Sequence, residues 1–107
     1  MRKKPSINEI LERVHSAADE NGVEITFANS RVYLQLLEYV QEPKADVLQE
    51  PMGVRFRATT VELAEYCSVS ARIITDSLRK FNKCGVIKYT PNRPNPAIVK
   101  LYKRFYE

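Results

Sequence analysis

Apolar residues recur at helical spacing in four stretches of the chain and alternate in three others. Ile7, Ile10, Leu11, Val14 and Ala18 share one face of a first helix, opened by the capping box Ser6-Ile7-Asn8-Glu9 and stopped by Asn21-Gly22. Glu24-Ile25-Thr26-Phe27 suits a short extended segment. A second helix runs from about Ser30, with Val32, Leu36, Leu37 and Val40 as its stripe, aided by Tyr33 and Tyr39, until Pro43 ends it. Residues 43–53 hold two prolines, a glycine and several charges, and read as a mobile loop. Residues 1–4 read as a loose basic arm.

The second half is more regular. Val54-Arg55-Phe56-Arg57-Ala58 alternates apolar and basic, as a half-buried strand does. Thr59-Thr60-Val61-Glu62 is another capping box, and Val61, Leu63, Ala64 and Tyr66 give the short helix behind it a buried side. Cys67-Ser68-Val69 makes a turn, with Val69 plugging the corner, and Ser70 caps the next helix. In that helix Ile74, Leu78, Phe81 and Cys84 lie on one face, and Gly85 stops it. Val86–Thr90 and Ala97–Tyr102 alternate as antiparallel strands, joined by the proline-stiffened Pro91-Asn92-Arg93-Pro94-Asn95-Pro96. The expected fold is mainly α with a small antiparallel β hairpin (α+β). It is expected to form a single domain over residues 1–107, with helices in 5–42 and the strand, helix pair and hairpin in 54–102.

Charge changes the picture. Residues 1–70 carry 8 Lys/Arg against 11 Asp/Glu, net −3, whereas residues 71–107 carry 9 against 2, net +7. The basic third therefore begins where the second helix of the pair begins, which points to a polyanion such as nucleic acid. Other chemistry is thin. His15 is the one histidine and has no paired acid or cysteine beside it, and there is no phosphate loop, metal-ligand spacing or nucleophile motif. An enzyme is not expected, nor a cofactor or metal. Cys67 and Cys84 read as buried reduced thiols, so the expected compartment is cytoplasmic. No apolar run is long enough to serve as a signal peptide or membrane span.

The run Leu63-Ala64-Glu65, Val69-Ser70, Ile74, Leu78, Phe81 and Gly85-Val86-Ile87 resembles the winged helix-turn-helix superfamily of DNA-binding proteins, especially its bacterial, plasmid and phage regulators. The resemblance covers about half the chain, and residues 1–50 carry no such signature. It implies that the second helix of the pair enters the major groove of double-stranded DNA and that the hairpin is a wing. On that footing Arg72 and Thr75 are the candidates for base contacts, and Thr59, Ser70 and the amides at the helix starts, Ala71 included, for phosphates. Arg79, Lys80, Lys83 and Lys88 are either phosphate-directed or solvated. Asp76 either accepts from cytosine or orients Arg72 or Arg79 through a helical pair. Arg93, with Asn95 near it, either enters a minor groove or decorates a rigid solvent hairpin. Arg55 and Arg57 either touch backbone or pair with the acidic half.

A single module of this size makes few contacts, so a two-fold homodimer on adjacent half-sites is the expectation. The first helix and the aromatic tail (Leu101, Tyr102, Phe105, Tyr106) are candidates to join the copies, or else they complete the monomer core. Two uses fit such a chain: a transcriptional repressor, or a partition adaptor similar to the small winged-helix centromere binders of tubulin-type segregation systems, which also engage a filament. A protein-interaction module within a replication or transcription assembly is the alternative from a different class.

Overall fold

The computed structural model describes residues 4–107. Apart from Lys4, the expected basic arm lies outside that range. Nine elements follow in order: α1 (Ile7–Glu20), α2 (Phe27–Tyr39), β1 (Asp46–Glu50), β2 (Gly53–Ala58), α3 (Thr60–Cys67), α4 (Ala71–Lys83), β3 (Ile87–Thr90), β4 (Ala97–Tyr102) and α5 (Lys103–Tyr106). Together they make an α+β domain, with the four strands in one antiparallel sheet of order β1-β2-β4-β3. Its radius of gyration, 13.0 Å, is that of a compact chain of this length.

Capping chemistry sets the helix starts. Ser6, Thr26, Thr59 and Ser70 each accept a hydrogen bond from the backbone N–H three residues on. At the other ends, Gly22 (φ +66°) and Gly85 (φ +78°) take the left-handed conformation that turns the chain out of α1 and α4. Ser68 takes it too (φ 56°), at the end of α3, where a side chain makes that conformation costly.

One core gathers residues from both halves. Val14 of α1, Val32, Tyr33 and Leu36 of α2, Leu63 of α3, and Ile74, Leu78 and Phe81 of α4 pack with Phe56, Val86, Val99 and Leu101 from the sheet side. Each large apolar side chain buried this way contributes roughly 1.5–3 kcal/mol. Tyr33 meets Phe81 edge to face at 5.5 Å, which fixes α2 against α4.

Four expectations need correction. Residues 43–53 are not all loop: Asp46–Glu50 forms β1, pairing with β2 from Asp46↔Arg57 to Glu50↔Gly53. The charges that suggested a loop lie on its solvent face, and Pro43 and Pro51 fall outside the strand. α2 begins at Phe27 and not near Ser30, because Thr26 and Asn29 form a capping box there; the segment expected to be extended thus loses Phe27 to the helix, while Thr26 keeps an extended backbone. Val61 and Ile7, placed on buried faces by spacing, are each 62% exposed. Each lies in the first turn of its helix, beyond the reach of the core.

The apolar stripe of α1, the candidate for joining two copies, is used within the chain. Ile10, Val14 and Ala18 are buried, and the tail helix α5 packs on α1 with Phe105 buried beneath it. Arg13 secures the tail by donating to the Glu107 carbonyl at 3.1 Å.

Candidate functional site

Six of the singled-out residues, Ala71, Arg72, Thr75, Asp76, Arg79 and Lys83, lie on α4. Positions 72, 76, 79 and 83 follow at steps of four, three and four, on the side opposite buried Ile74, Leu78 and Phe81. All four side chains are exposed, Ala71 is exposed before them, and Thr75 is half-buried at the edge of the stripe. Arg72, Arg79 and Lys83 make no side-chain ion pair among the described residues. The outer face of α4 therefore presents three cations without an ion-pair partner, with Asp76 between them, along about three turns of helix.

Asp76 and Lys80 behave differently from expectation. Asp76 pairs neither with Arg72 nor with Arg79, but with Lys80 Nζ at 3.3 Å, one helical turn on. The reason lies on α2. Asn29, 1% exposed, donates from Nδ2 to Ser77 Oγ at 2.7 Å and to Asp76 Oδ2 at 3.3 Å. Its Oδ1 accepts from Lys80 Nζ at 3.2 Å, and from the Thr26 amide at 3.0 Å and hydroxyl at 2.9 Å. Lys80 is drawn inward, away from the exposed stripe. Asn29 thus ties the start of α2 to the middle of α4, and sequence reasoning missed it. The available signal was Thr26 followed three residues later by a residue able to complete a capping box.

The two helix caps are chemically unequal. Thr59 accepts from the Glu62 amide at 3.0 Å and donates its own proton to Glu62 Oε1 at 3.1 Å. Ser70 accepts from the Ile73 amide at 3.2 Å and has no acceptor for its own proton among the described residues. Ser70, beside the amide end of α4, is therefore the cap equipped to donate to an oxyanion.

Between β3 and β4 the chain folds back toward the start of α3. Thr59, Thr60, Val61, Arg93 and Asn95 line one cleft of about 230 Å³, so the hairpin tip and the first turn of α3 are neighbours. Arg93 and Asn95 are exposed, and the Arg93–Pro94 peptide is cis. The residues singled out on α4 do not line that cleft, so the candidates form two groups: the α4 stripe, and the tip with the start of α3.

Four further cations, Arg55, Arg57, Lys88 and Lys100, lie on the strands β2, β3 and β4. Arg55 and Lys100 both bridge to Glu50, Lys100 at 3.2 Å. The Lys100 ammonium, with the Arg55 guanidinium adding to it, holds the Glu50 carboxyl below the usual carboxylate range in spite of the opposing effect of desolvation. Arg55 thus pairs with the acidic half, whereas Arg57 is exposed and forms no ion pair among the described residues.

His15 Nε2 lies 3.0 Å from Ser30 Oγ, joining α1 to α2. Cys67 and Cys84 are buried free thiols; burial pushes Cys67 up to about 11 and raises Cys84 as well. Among the described residues, no three His, Cys, Asp or Glu side chains gather where they could hold a metal ion, and no helix is long and apolar enough to cross a membrane. No protein-family model matches the chain, and no curated protein matches it either.

Proposed function

We propose that the chain is a winged helix-turn-helix domain that binds double-stranded DNA, with α4 in the major groove and the β3–β4 hairpin as its wing. The observation that carries this reading is the outer face of α4, where Arg72, Arg79 and Lys83 stand unpaired opposite the buried face. A helix about 10–12 Å across matches the width of the major groove, and its N-terminal half comes nearest the base edges. Arg72 then reads a guanine edge and Thr75 a neighbouring base. Ser70 and the α4 amides hold a phosphate, and Arg79 and Lys83 follow the backbone. Support for the wing comes from topology: β4 lies between β2 and β3, and the tip carrying Arg93 and Asn95 sits beside the start of α3.

One α4 reads few base pairs, so two copies on adjacent half-sites belong to the proposal. Because Ile10, Val14 and Ala18 are buried within the chain, the joining surface is not the apolar stripe of α1. No cofactor or catalytic step is part of this reading. The test is selection of bound fragments from genomic or plasmid DNA, read as a footprint. A single palindrome assigns transcriptional regulation; tiled repeats assign partition. Absence of duplex binding even at low salt overturns the proposal.

A second reading, a protein-interaction module, draws on Phe27, which is 81% exposed at the start of α2. Phe27→Ala leaves duplex affinity unchanged on the first reading and abolishes partner capture on the second.

A further inference from the structure

Lys88, Lys100 and Arg55 form one cross-strand row on the outer face of the sheet. Lys88 on β3 is directly opposite Lys100 on β4, and Lys100 is directly opposite Arg55 on β2. Like charges set opposite one another on neighbouring strands are destabilising. Glu50 compensates part of this row by bridging Arg55 and Lys100, but one carboxylate faces three cations, and Lys88 has no ion-pair partner among the described residues. The surface around the row is concave. Arg55, Lys88, Lys100, Thr90, Ile98 and Tyr102 line a cleft of about 330 Å³. The Tyr102 ring lies under Lys100 at 5.6 Å and near Arg104 at 5.9 Å, so cations already cover it and a stacked base would have to displace them. An anionic oxygen suits this cleft better than an aromatic ring does.

The position of the cleft indicates which anion. Thr90 and Ile98 lie at its edge, whereas their neighbours Tyr89, Pro91 and Ala97 line the cleft beside the start of α3. The two clefts therefore lie on opposite faces of the hairpin, and tip residues 91–95 form a wall of the one beside α3. A tip inserted into a minor groove, which is about 6 Å wide, has one phosphate strand on each side. The inner strand would run past Thr59 and Asn95, and the outer strand past Thr90 and Lys88.

We propose that the outer face of the sheet is a second phosphate-binding surface, on which Lys88, Lys100 and Arg55 hold the backbone strand across the minor groove from the one beside α3. This rests on the duplex-binding reading and adds a contact that α4 does not make. The row carries no base information. Its contribution is affinity, dependent on salt and indifferent to sequence.

The test compares wild type, Lys88→Ala and Lys88→Glu on the footprinted duplex, using anisotropy across a salt series and phosphate-ethylation interference on each strand. Lys88 is exposed and unpaired, so both variants should fold, and circular dichroism checks that they do. Lys88→Ala should lower the slope of log affinity against log salt by about 0.9, the value for one phosphate contact, with base preference unchanged. Interference on the strand beyond the tip should weaken by one phosphate, while that beside α3 remains unchanged. Lys88→Glu should weaken binding further with the same strand selectivity. Slopes and interference identical to wild type overturn this inference alone. Loss of wild-type duplex binding overturns the function it rests on. A polyglutamate chain that binds wild type as tightly as the duplex, but not Lys88→Glu, would give the surface to an acidic protein segment instead.

Discussion

Asn29 is the residue on which the placement of α4 most depends. It is buried, uncharged, and uses both ends of its amide to join Thr26, Asp76, Ser77 and Lys80. Removing it leaves the Ser77 hydroxyl and the Thr26 amide without their partners, and an orphaned buried polar group costs about 1–3 kcal/mol. Asn29→Ala should lower the unfolding free energy by that order in urea denaturation, whereas Ser77→Ala, which removes one partner, should cost less. If the two variants combined cost as much as the sum of the singles, the network reading is wrong. Glu50 gives a second prediction at this scale. Its carboxyl is held below the usual range by Lys100 and Arg55, so its stabilising effect is complete above the unfolded value of about 4.3 and declines as pH falls through the lowered folded value. The urea midpoint should drop across that acid window, and Glu50→Gln should flatten the drop. An unchanged acid limb in the variant would show that the bridge does not couple to folding.

At the level of elements, two backbone positions carry opposite predictions. Ser68 ends α3 in the left-handed region, where glycine is more at ease (φ 56°). Ser68→Gly should therefore stabilise by up to about 1 kcal/mol, read as a raised denaturation midpoint. At Gly53 the reverse holds. It opens β2 opposite Tyr102, and a Cβ there would collide with the carbonyl of Leu101. Gly53→Ala must push β2 and β4 apart and should cost about 1–3 kcal/mol, as overpacking does. These two positions also show what the sequence could reveal. The caps Thr59 and Ser70, the spacing of Ile74, Leu78 and Phe81, and the alternation in 86–90 and 97–102 are local signals, and they place α3, α4 and the β3–β4 hairpin. β1 was not legible, since Asp46 and Glu50 make sense on a strand only once β2 and its arginines are beside them. The early start of α2 was hidden because Phe27, its first residue, faces solvent. In the candidate site, the stripe of Arg72, Arg79 and Lys83 follows from helical period alone. Fixing Lys80 inward requires a contact with Asn29 of α2, far along the chain, and pairing Arg55 with Glu50 requires the β1–β2 hairpin whose first strand the charges disguise.

For the whole molecule, the proposed duplex binding would be linked to folding, and the two cysteines offer a way to measure the link. Cys67 closes α3 and Cys84 closes α4, and the two are 3% and 4% exposed within the core that those helices share. Burial also raises both thiols, Cys67 up to about 11, so the thiolate needed for alkylation is scarce while the chain is folded. Labelling by iodoacetamide should therefore proceed through an opening that separates the helix pair from the sheet. When closing outpaces alkylation, the rate reports the equilibrium population of the open form. A duplex that binds only the folded chain lowers that population by mass action, by about 100-fold at 100 times the dissociation constant, or about 2.7 kcal/mol. On the proposed function, the footprinted duplex should slow labelling of both cysteines by that factor, and rising salt should restore the rate as binding weakens. Arg72→Ala should lessen the protection given by the footprinted duplex and leave that given by mixed-sequence DNA unchanged. If a duplex bound to saturation left the labelling rate unaltered, the DNA would not be held by a surface that requires α3 and α4 to be docked, and the assignment of α4 as the reading helix would fall.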